Sequence, residues 1–152
     1  MAKVYLICDM SGSMIEDGRR FVVRNIARTV DQYYRLRAES PELFVAHWSS
    51  KVSIKRWNPG QDFPEEMLEC SGEASGDDLV KELSGIADGY FMLITDGYWS
   101  NETRRKIAAW SRSLPNGHLR LLMVGVDANP KLKGPSVFRG EDVLMALDSW
   151  AR

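Results

Sequence analysis

Val4-Tyr5-Leu6-Ile7-Cys8-Asp9-Met10-Ser11-Gly12-Ser13 is the stretch that decides the fold. Its apolar half, Val4 to Cys8, is continuous rather than alternating. That pattern predicts a strand covered on both faces, as in the middle of a parallel sheet. The run stops at an acid and passes into a polar loop, which Gly12 is expected to let curl. Gly18 to Glu39 then reads as a long helix. Val22, Ile26, Val30 and Tyr33 recur at helical spacing, Arg20, Arg24, Arg28 and Arg35 line another face, and Pro41 ends it. Strand, polar loop and helix in that order predict an α/β fold.

Working outward, the alternation of strands and helices continues. Leu43 to Trp48 is a second apolar strand, and Ser49-Ser50 make a tight turn. Lys51 to Lys55 alternates strictly, which predicts a half-exposed antiparallel strand at a lysine-protected edge. Residues 56–75 carry Pro59, Gly60, Pro64 and Gly72 and read as loop, with one helical turn near Glu65–Leu68. Asp77 to Ala87 reads as a short helix, and Tyr90 to Thr95 as a buried strand that ends in Asp96-Gly97. Ser100-Asn101 caps a helix running to about Ser113, with Ile107, Trp110 and Leu114 inward, closed by Pro115-Asn116-Gly117. His118 to Val126 is a fifth strand, Asn129 to Pro135 a loop or single turn, and Ser136 to Arg139 a short last strand. Glu141 to Ala151 reads as a terminal helix with Val143, Leu147 and Trp150 on one face. The sum is one domain over residues 1–152: a three-layer α/β/α sandwich with a mostly parallel sheet and one antiparallel edge strand.

Bulk properties narrow the function. The 152 residues carry a formal net charge of −1, so no global field draws the chain to nucleic acid or to a membrane. No apolar run approaches the roughly 20 residues of a membrane span. The N-terminal Val4–Cys8 run is too short for a signal sequence and is cut by Asp9. Cys8 behaves as a small buried hydrophobe, and a Cys8–Cys70 disulfide would form only in a secreted protein, which nothing in the sequence indicates; the expectation is a reduced, cytoplasmic protein.

Two strands end in an acid followed by a polar, Gly-containing loop, at the sheet edge where α/β proteins collect functional groups. Asp9, Ser11 and Ser13 offer oxygen at alternating positions, and Asp96 brings a second carboxylate. All are hard ligands without His or Cys beside them. That chemistry favours Mg²⁺, with Mn²⁺ or Ca²⁺ as alternatives, and disfavours Zn²⁺ and Cu²⁺. As pure structure, the same turn would cap the following helix and Asp96 would bond loop amides. Met10, Met14, Tyr98 and Trp99 flank the ligands. Met14, Tyr98 and Trp99 are candidates for partner contact, Trp99 first among them, while Met10 and Tyr98 suit a core equally well.

The chain resembles the von Willebrand factor A (vWA) domain family. Asp9-x-Ser11-x-Ser13 matches its DxSxS element, in the DxSGSM form, and Ile94-Thr95-Asp96-Gly97 matches its later strand-end aspartate. The order of elements fits across nearly the whole chain. The resemblance implies a metal-ion-dependent adhesion site, with Ser11 and Ser13 ligating the ion directly and Asp9 and Asp96 acting through water or at longer range. It implies a fifth ligand, usually Thr, ahead of the middle helix. Here Ser75-Gly76-Asp77-Asp78-Leu79 occupies that segment and aligns Asp77 with the threonine. An anionic Asp77 would hold the ion more tightly and moderate its pull on a partner's acid. Alternatively, Ser75 caps the helix, Asp78 completes a capping box and Asp77 only favours the helix start. The resemblance further implies a metal-dependent protein-interaction module. It would be a bacterial adaptor whose partner offers an Asp or Glu to the metal, associated with an AAA+ ATPase or a stress or defence system.

Two other function classes deserve weighing. A Mg²⁺-dependent hydrolase or phosphatase would use Asp9 or a serine as nucleophile. Yet Ser11 stands where phosphotransferases of that kind carry a second acid, and His47 and His118 lie on or beside strands. A nucleic-acid binder would use the Arg20, Arg24, Arg28 row and Arg104-Arg105-Lys106, although a charged stripe opposite an apolar one is the ordinary solvated face.

Overall fold

The computed structural model describes residues 2–38, 40–148 and 150–151. Its strands are β1 (Lys3–Asp9), β2 (Glu42–Trp48), β3 (Val52–Trp57), β4 (Gly89–Thr95), β5 (Leu119–Met123) and β6 (Val137–Arg139). Its helices are α1 (Arg19–Arg35), α2 (Gly76–Leu83), α3 (Asn101–Ser113) and α4 (Val143–Leu147). The strands form one sheet in the order β3-β2-β1-β4-β5-β6. Every pairing is parallel except β2 with β3, so the lysine-bearing strand is the antiparallel edge that its alternation predicted.

The apolar run of β1 is buried on both faces because each face has its own layer of helices. Val4, Leu6 and Cys8 point into a core shared with α1 and α4 through Val23, Ile26, Val30, Val143 and Leu147. Tyr5 and Ile7 point the other way, into a core closed by Leu79 and Leu83 of α2 and Ile107 and Trp110 of α3. Burial of side chains this large contributes roughly 1.5–3 kcal/mol each. The central position of β1 is therefore the energetic heart of the sandwich.

Some boundaries and faces differ from the sequence reading. The inward stripe of α1 is Val23, Ile26, Ala27, Val30 and Tyr34; Val22 is exposed, so the helix is rotated by about one residue from the expected face. Ahead of the helix, a 3-10 turn that begins at Gly12 is interrupted at Glu16 and Asp17, whose backbones are non-helical, and the α-helix starts at Arg19. The helix closes at Arg35; Glu39, its expected end, lies outside the described residues. The terminal helix is cut to Val143–Leu147, preceded by a single 3-10 turn over Gly140–Asp142. Similarly, β5 stops at Met123, and α2 spans Gly76–Leu83. Gly12 has an ordinary negative φ, so the loop does not depend on its freedom; Asp17 and Gly18 take the left-handed turn instead.

The strand order reverses direction at β1, whose neighbours are β2 on one side and β4 on the other. Such a switch point opens a crevice beyond the strand C-termini. Cys8 pairs with Ile94, which brings Asp9 and the Thr95-Asp96 end of β4 to the same edge.

Candidate metal centre

Asp9, Ser11, Ser13 and Asp96 are brought together as one hydrogen-bonded chain. Asp9 Oδ1 accepts from the Ser11 amide at 3.0 Å and from its hydroxyl at 2.7 Å. The Ser13 hydroxyl donates to Asp96 Oδ2 at 2.8 Å, and the two serine oxygens lie 3.4 Å apart. Each hydroxyl commits its proton to a carboxylate, which leaves its lone pairs available to a cation. Both carboxylates are 0% exposed, whereas Ser11 and Ser13 line an open depression of about 320 Å³ together with Glu73, Tyr98 and Trp99. The donor set is oxygen only. No group of three or more His, Cys, Asp or Glu side chains suited to a metal occurs among the described residues. These residues fit a hard divalent ion held by hydroxyls and water, with the carboxylates behind them.

Local structure explains the precision of the cluster. The Ser11 backbone is extended, and the 3-10 turn begins at Gly12 with a Met14 amide bond to Ser11 O at 3.0 Å. The neighbouring loop clamps this turn: Gly12 N donates to Gly72 O at 2.9 Å and Ser71 N to Met10 O at 2.9 Å. On β4, the Asp96-Gly97 corner needs glycine. Gly97 has φ +78, and a Cβ there would meet Met123 Cε at 2.5 Å and Leu132 Cδ1 at 2.7 Å. The corner turns the Tyr98 amide back onto Asp96 Oδ1 at 3.1 Å.

Two residues that the sequence reading passed over complete the centre. Thr95 donates to Asp9 Oδ2 at 2.5 Å and accepts from Gly97 N at 3.0 Å and Trp99 Nε1 at 3.1 Å. It thus ties the β1 tip to the β4 loop. Arg19, only 4% exposed, donates from Nη1 to Asp96 Oδ2 at 3.3 Å and to Ser13 O at 3.0 Å. Its Nη2 meets Asp127 Oδ1 at 2.6 Å. A signal for Arg19 was present: it stands four residues before Val23, on the extension of the buried α1 stripe. Burial raises the Asp9 pKa, the Thr95 and Ser11 hydrogen bonds pull it back, and the Asp96 charge adds to the rise.

Two expectations are corrected. Asp77 is not brought to the cluster. It lies in the first turn of α2 with its side chain 62% exposed, paired to Lys106 Nζ at 3.1 Å. Of the capping reading, the Ser75 cap is present, its Oγ accepting from the Asp78 amide at 3.3 Å, but the capping box is not: the Ser75 amide donates to Ser49 O at 2.9 Å rather than to Asp78. Trp48 Nε1 donates to Ser75 O at 2.8 Å and Gly76 N donates to Thr103 Oγ1 at 3.1 Å, so the helix start is anchored between the end of β2 and α3, where Lys106 takes the Asp77 carboxylate. Met14 is not a partner-contact residue. It is fully buried in the α1-side core because the 3-10 turn points it inward, and Met10 is buried in the same core. Tyr98 remains on the surface at 53% exposure, its hydroxyl donating to Asp127 O at 2.6 Å. Trp99 is half-buried against Trp48, with ring centroids 5.9 Å apart, and forms part of the depression's wall.

The sheet order and the strand-tip cluster together define a von Willebrand factor A-like fold. Solved structures share it: manganese-loaded TRAP protein from Plasmodium vivax matches at a TM-score of 0.66 and 15% identity, over 97% of this chain and 72% of that one. A von Willebrand factor type A structure from Catenulispora acidiphila matches at 0.53 and 16% identity, over 80% of this chain and 32% of that one. Proximal thread matrix protein 1 from the mussel byssus, with a zinc-occupied MIDAS motif, matches at 0.59 and 12% identity, over 95% of this chain and 46% of that one. No protein-family model matches the chain, and no curated protein matches it by sequence. Among the described residues, no helix is long and apolar enough to cross a membrane.

Proposed function

We propose that this protein is a metal-dependent protein-interaction module that docks an acidic side chain of a partner onto an ion held at the strand tips. The observation that carries the reading is the orientation of Ser11 and Ser13. Their protons are committed to Asp9 and Asp96, and their oxygens line an open depression walled by Trp99 and Tyr98. Neutral hydroxyl ligands leave an ion electrophilic enough to take a carboxylate from outside. A half-exposed tryptophan and tyrosine beside it supply the apolar contact area that interfaces favour. Mg²⁺ is the ion we assign by ligand hardness. The manganese and zinc bound by two proteins of similar fold support a divalent ion more broadly.

The alternatives have less support. Both histidines are engaged by backbone carbonyls, His47 with Glu69 O at 2.6 Å and His118 with Gly89 O at 3.1 Å, so neither is poised as a base for Ser11 or Ser13. We therefore read the protein as non-enzymatic. In the arginine row, Arg28 is committed to a bidentate pair with Asp62 at 3.0 and 2.9 Å, and Arg24 lies over the Phe21 ring, which weakens the nucleic-acid reading. By analogy with the vWA family, the proposal extends to a cytoplasmic adaptor role, with AAA+ ATPases among the partner classes.

The decisive experiment is capture of partners by the immobilised chain in Mg²⁺ and in chelator, alongside Ser13→Ala and Asp9→Ala. Partners lost in chelator and in both variants support the reading. Partners indifferent to all three treatments overturn it.

A further inference from the structure

Arg19 is drawn into the metal centre although nothing in ion docking calls for it. The left-handed residues Asp17 (φ 52) and Gly18 (φ 67) turn the chain immediately before α1, so its first residue sits beneath the strand tips. Besides Asp96, Ser13 O and Asp127, the guanidinium has the exposed Glu16 carboxylate 3.7 Å away, and its Nε is buried without a partner. The fold makes room for the Arg19–Asp127 pair: a Cβ on Gly125 would lie 3.1 Å from Arg19 Nε and 3.2 Å from Asp127 Oδ1. Burial opposes the charge on Arg19. The hydrogen bond and charge of Asp127, with Asp96 and Glu16, outweigh it and leave the pKa raised.

We propose that Arg19 is a resident cation of the metal centre, holding Asp96 in the ion-free protein and competing with the ion for that carboxylate, with Asp127 setting the strength of the competition. The proposal rests on the reading that the site takes a divalent ion. Two buried carboxylates joined through two serines would repel one another if no cation were near. Arg19 supplies that cation from within the chain, so the site is assembled before any ion arrives. The same charge opposes an incoming divalent ion, because both are attracted by Asp96 Oδ2. Asp127, whose side chain is 60% exposed, draws part of the guanidinium's charge outward. If Arg19 were only a strut for Asp96, its removal would loosen the site and weaken ion binding. The sign of the effect separates the two roles.

The test is Mn²⁺ binding by calorimetry and by the electron spin resonance of free Mn²⁺. It is joined to thermal unfolding in chelator and in excess Mg²⁺, for the full chain and its Arg19→Met, Arg19→Lys and Asp127→Asn variants. Arg19→Met is expected to melt lower than wild type in chelator, to gain more from Mg²⁺, and to bind Mn²⁺ about tenfold tighter. Arg19→Lys keeps the charge and stays within about threefold of wild type, whereas Asp127→Asn binds about threefold weaker. Asp127 is exposed enough for its variant to fold, so it tests the sign even where Arg19→Met does not fold in chelator. Tighter binding by Arg19→Met, including binding by this variant alone, supports the proposal. Wild-type binding that is unchanged or weakened in Arg19→Met, or unchanged or tightened in Asp127→Asn, overturns the proposal and leaves the metal centre standing. Absence of binding by all four proteins overturns both.

Discussion

The tips of β1 and β4 lie side by side, and each presents a fully buried carboxylate, yet different chemistry holds them. Asp9 is held by neutral donors alone: the Ser11 amide and hydroxyl and the Thr95 hydroxyl. Asp96 is held by the Tyr98 amide, the Ser13 hydroxyl and the charged Arg19 guanidinium. Neutral hydrogen bonds reduce the cost of burying a charge without cancelling it, and the Asp9 pKa is raised accordingly. The Asp96 tip carries its own counter-charge. The lesson is that a two-carboxylate site need not be symmetric: one half awaits a cation and the other is already supplied with one.

Asp96→Ala should break this contrast most severely. It strips Arg19 of its buried partner and leaves the Tyr98 amide and Ser13 hydroxyl without their acceptor. A loss of about 3–5 kcal/mol is expected in urea unfolding, as for other broken buried ion pairs. Thr95→Val attacks the other tip. The near-isosteric change removes a hydroxyl that serves Asp9, Gly97 and Trp99 together, and should cost about 1–3 kcal/mol, with a shift in Trp99 fluorescence.

Asp9→Asn should sharpen the contrast in the opposite direction. Because folding raises the Asp9 pKa, the native chain holds this proton more tightly than the unfolded one. In chelator, the contribution to stability is therefore full below the unfolded carboxylate range and is lost as pH rises through the window between the unfolded and raised folded values. Asp9→Asn removes that loss. It should melt about 2–4 °C above wild type in chelator at neutral pH, corresponding to roughly 1 kcal/mol, while losing the increment from Mg²⁺. A melting point below wild type in chelator would show that the neutral donors fully compensate the buried charge.

The smallest effect is expected at Asp77→Thr. It removes one exposed pair with Lys106, worth about 0–1 kcal/mol, and should leave Mn²⁺ affinity unchanged. Weakened Mn²⁺ binding in this variant would return Asp77 to the centre.

How much could be read in advance follows from the range of the interactions. The strands and helices rest on local periodicity: the unbroken apolar run of β1, the alternation of β3 and the Ser100 cap of α3 each report their own surroundings. Asp9 and Asp96 were legible because strand-end acids are marked by the elements before them. Met14 was misread because its direction depends on a 3-10 turn whose phase periodicity does not encode. Asp77 was misread because alignment by spacing carries no information about which way the first turn of α2 faces. Thr95 looked like an ordinary strand residue until β1 was placed beside it.

By itself, the amino-acid sequence determined that this chain is an α/β sandwich with an oxygen-rich centre at the ends of β1 and β4. Hydrophobic patterning and short polar loops act over a few residues and leave a visible trace there. Only the tertiary structure decided how that centre is electrically balanced. Arg19 and Asp96 are separated by 77 positions, and Arg19 and Asp127 by 108. Their meeting depends on the reversal of strand order at β1 and the left-handed turn at Asp17 and Gly18. A long-range ion pair leaves no periodicity in the chain, because its energy comes from a burial that exists only once the layers have closed.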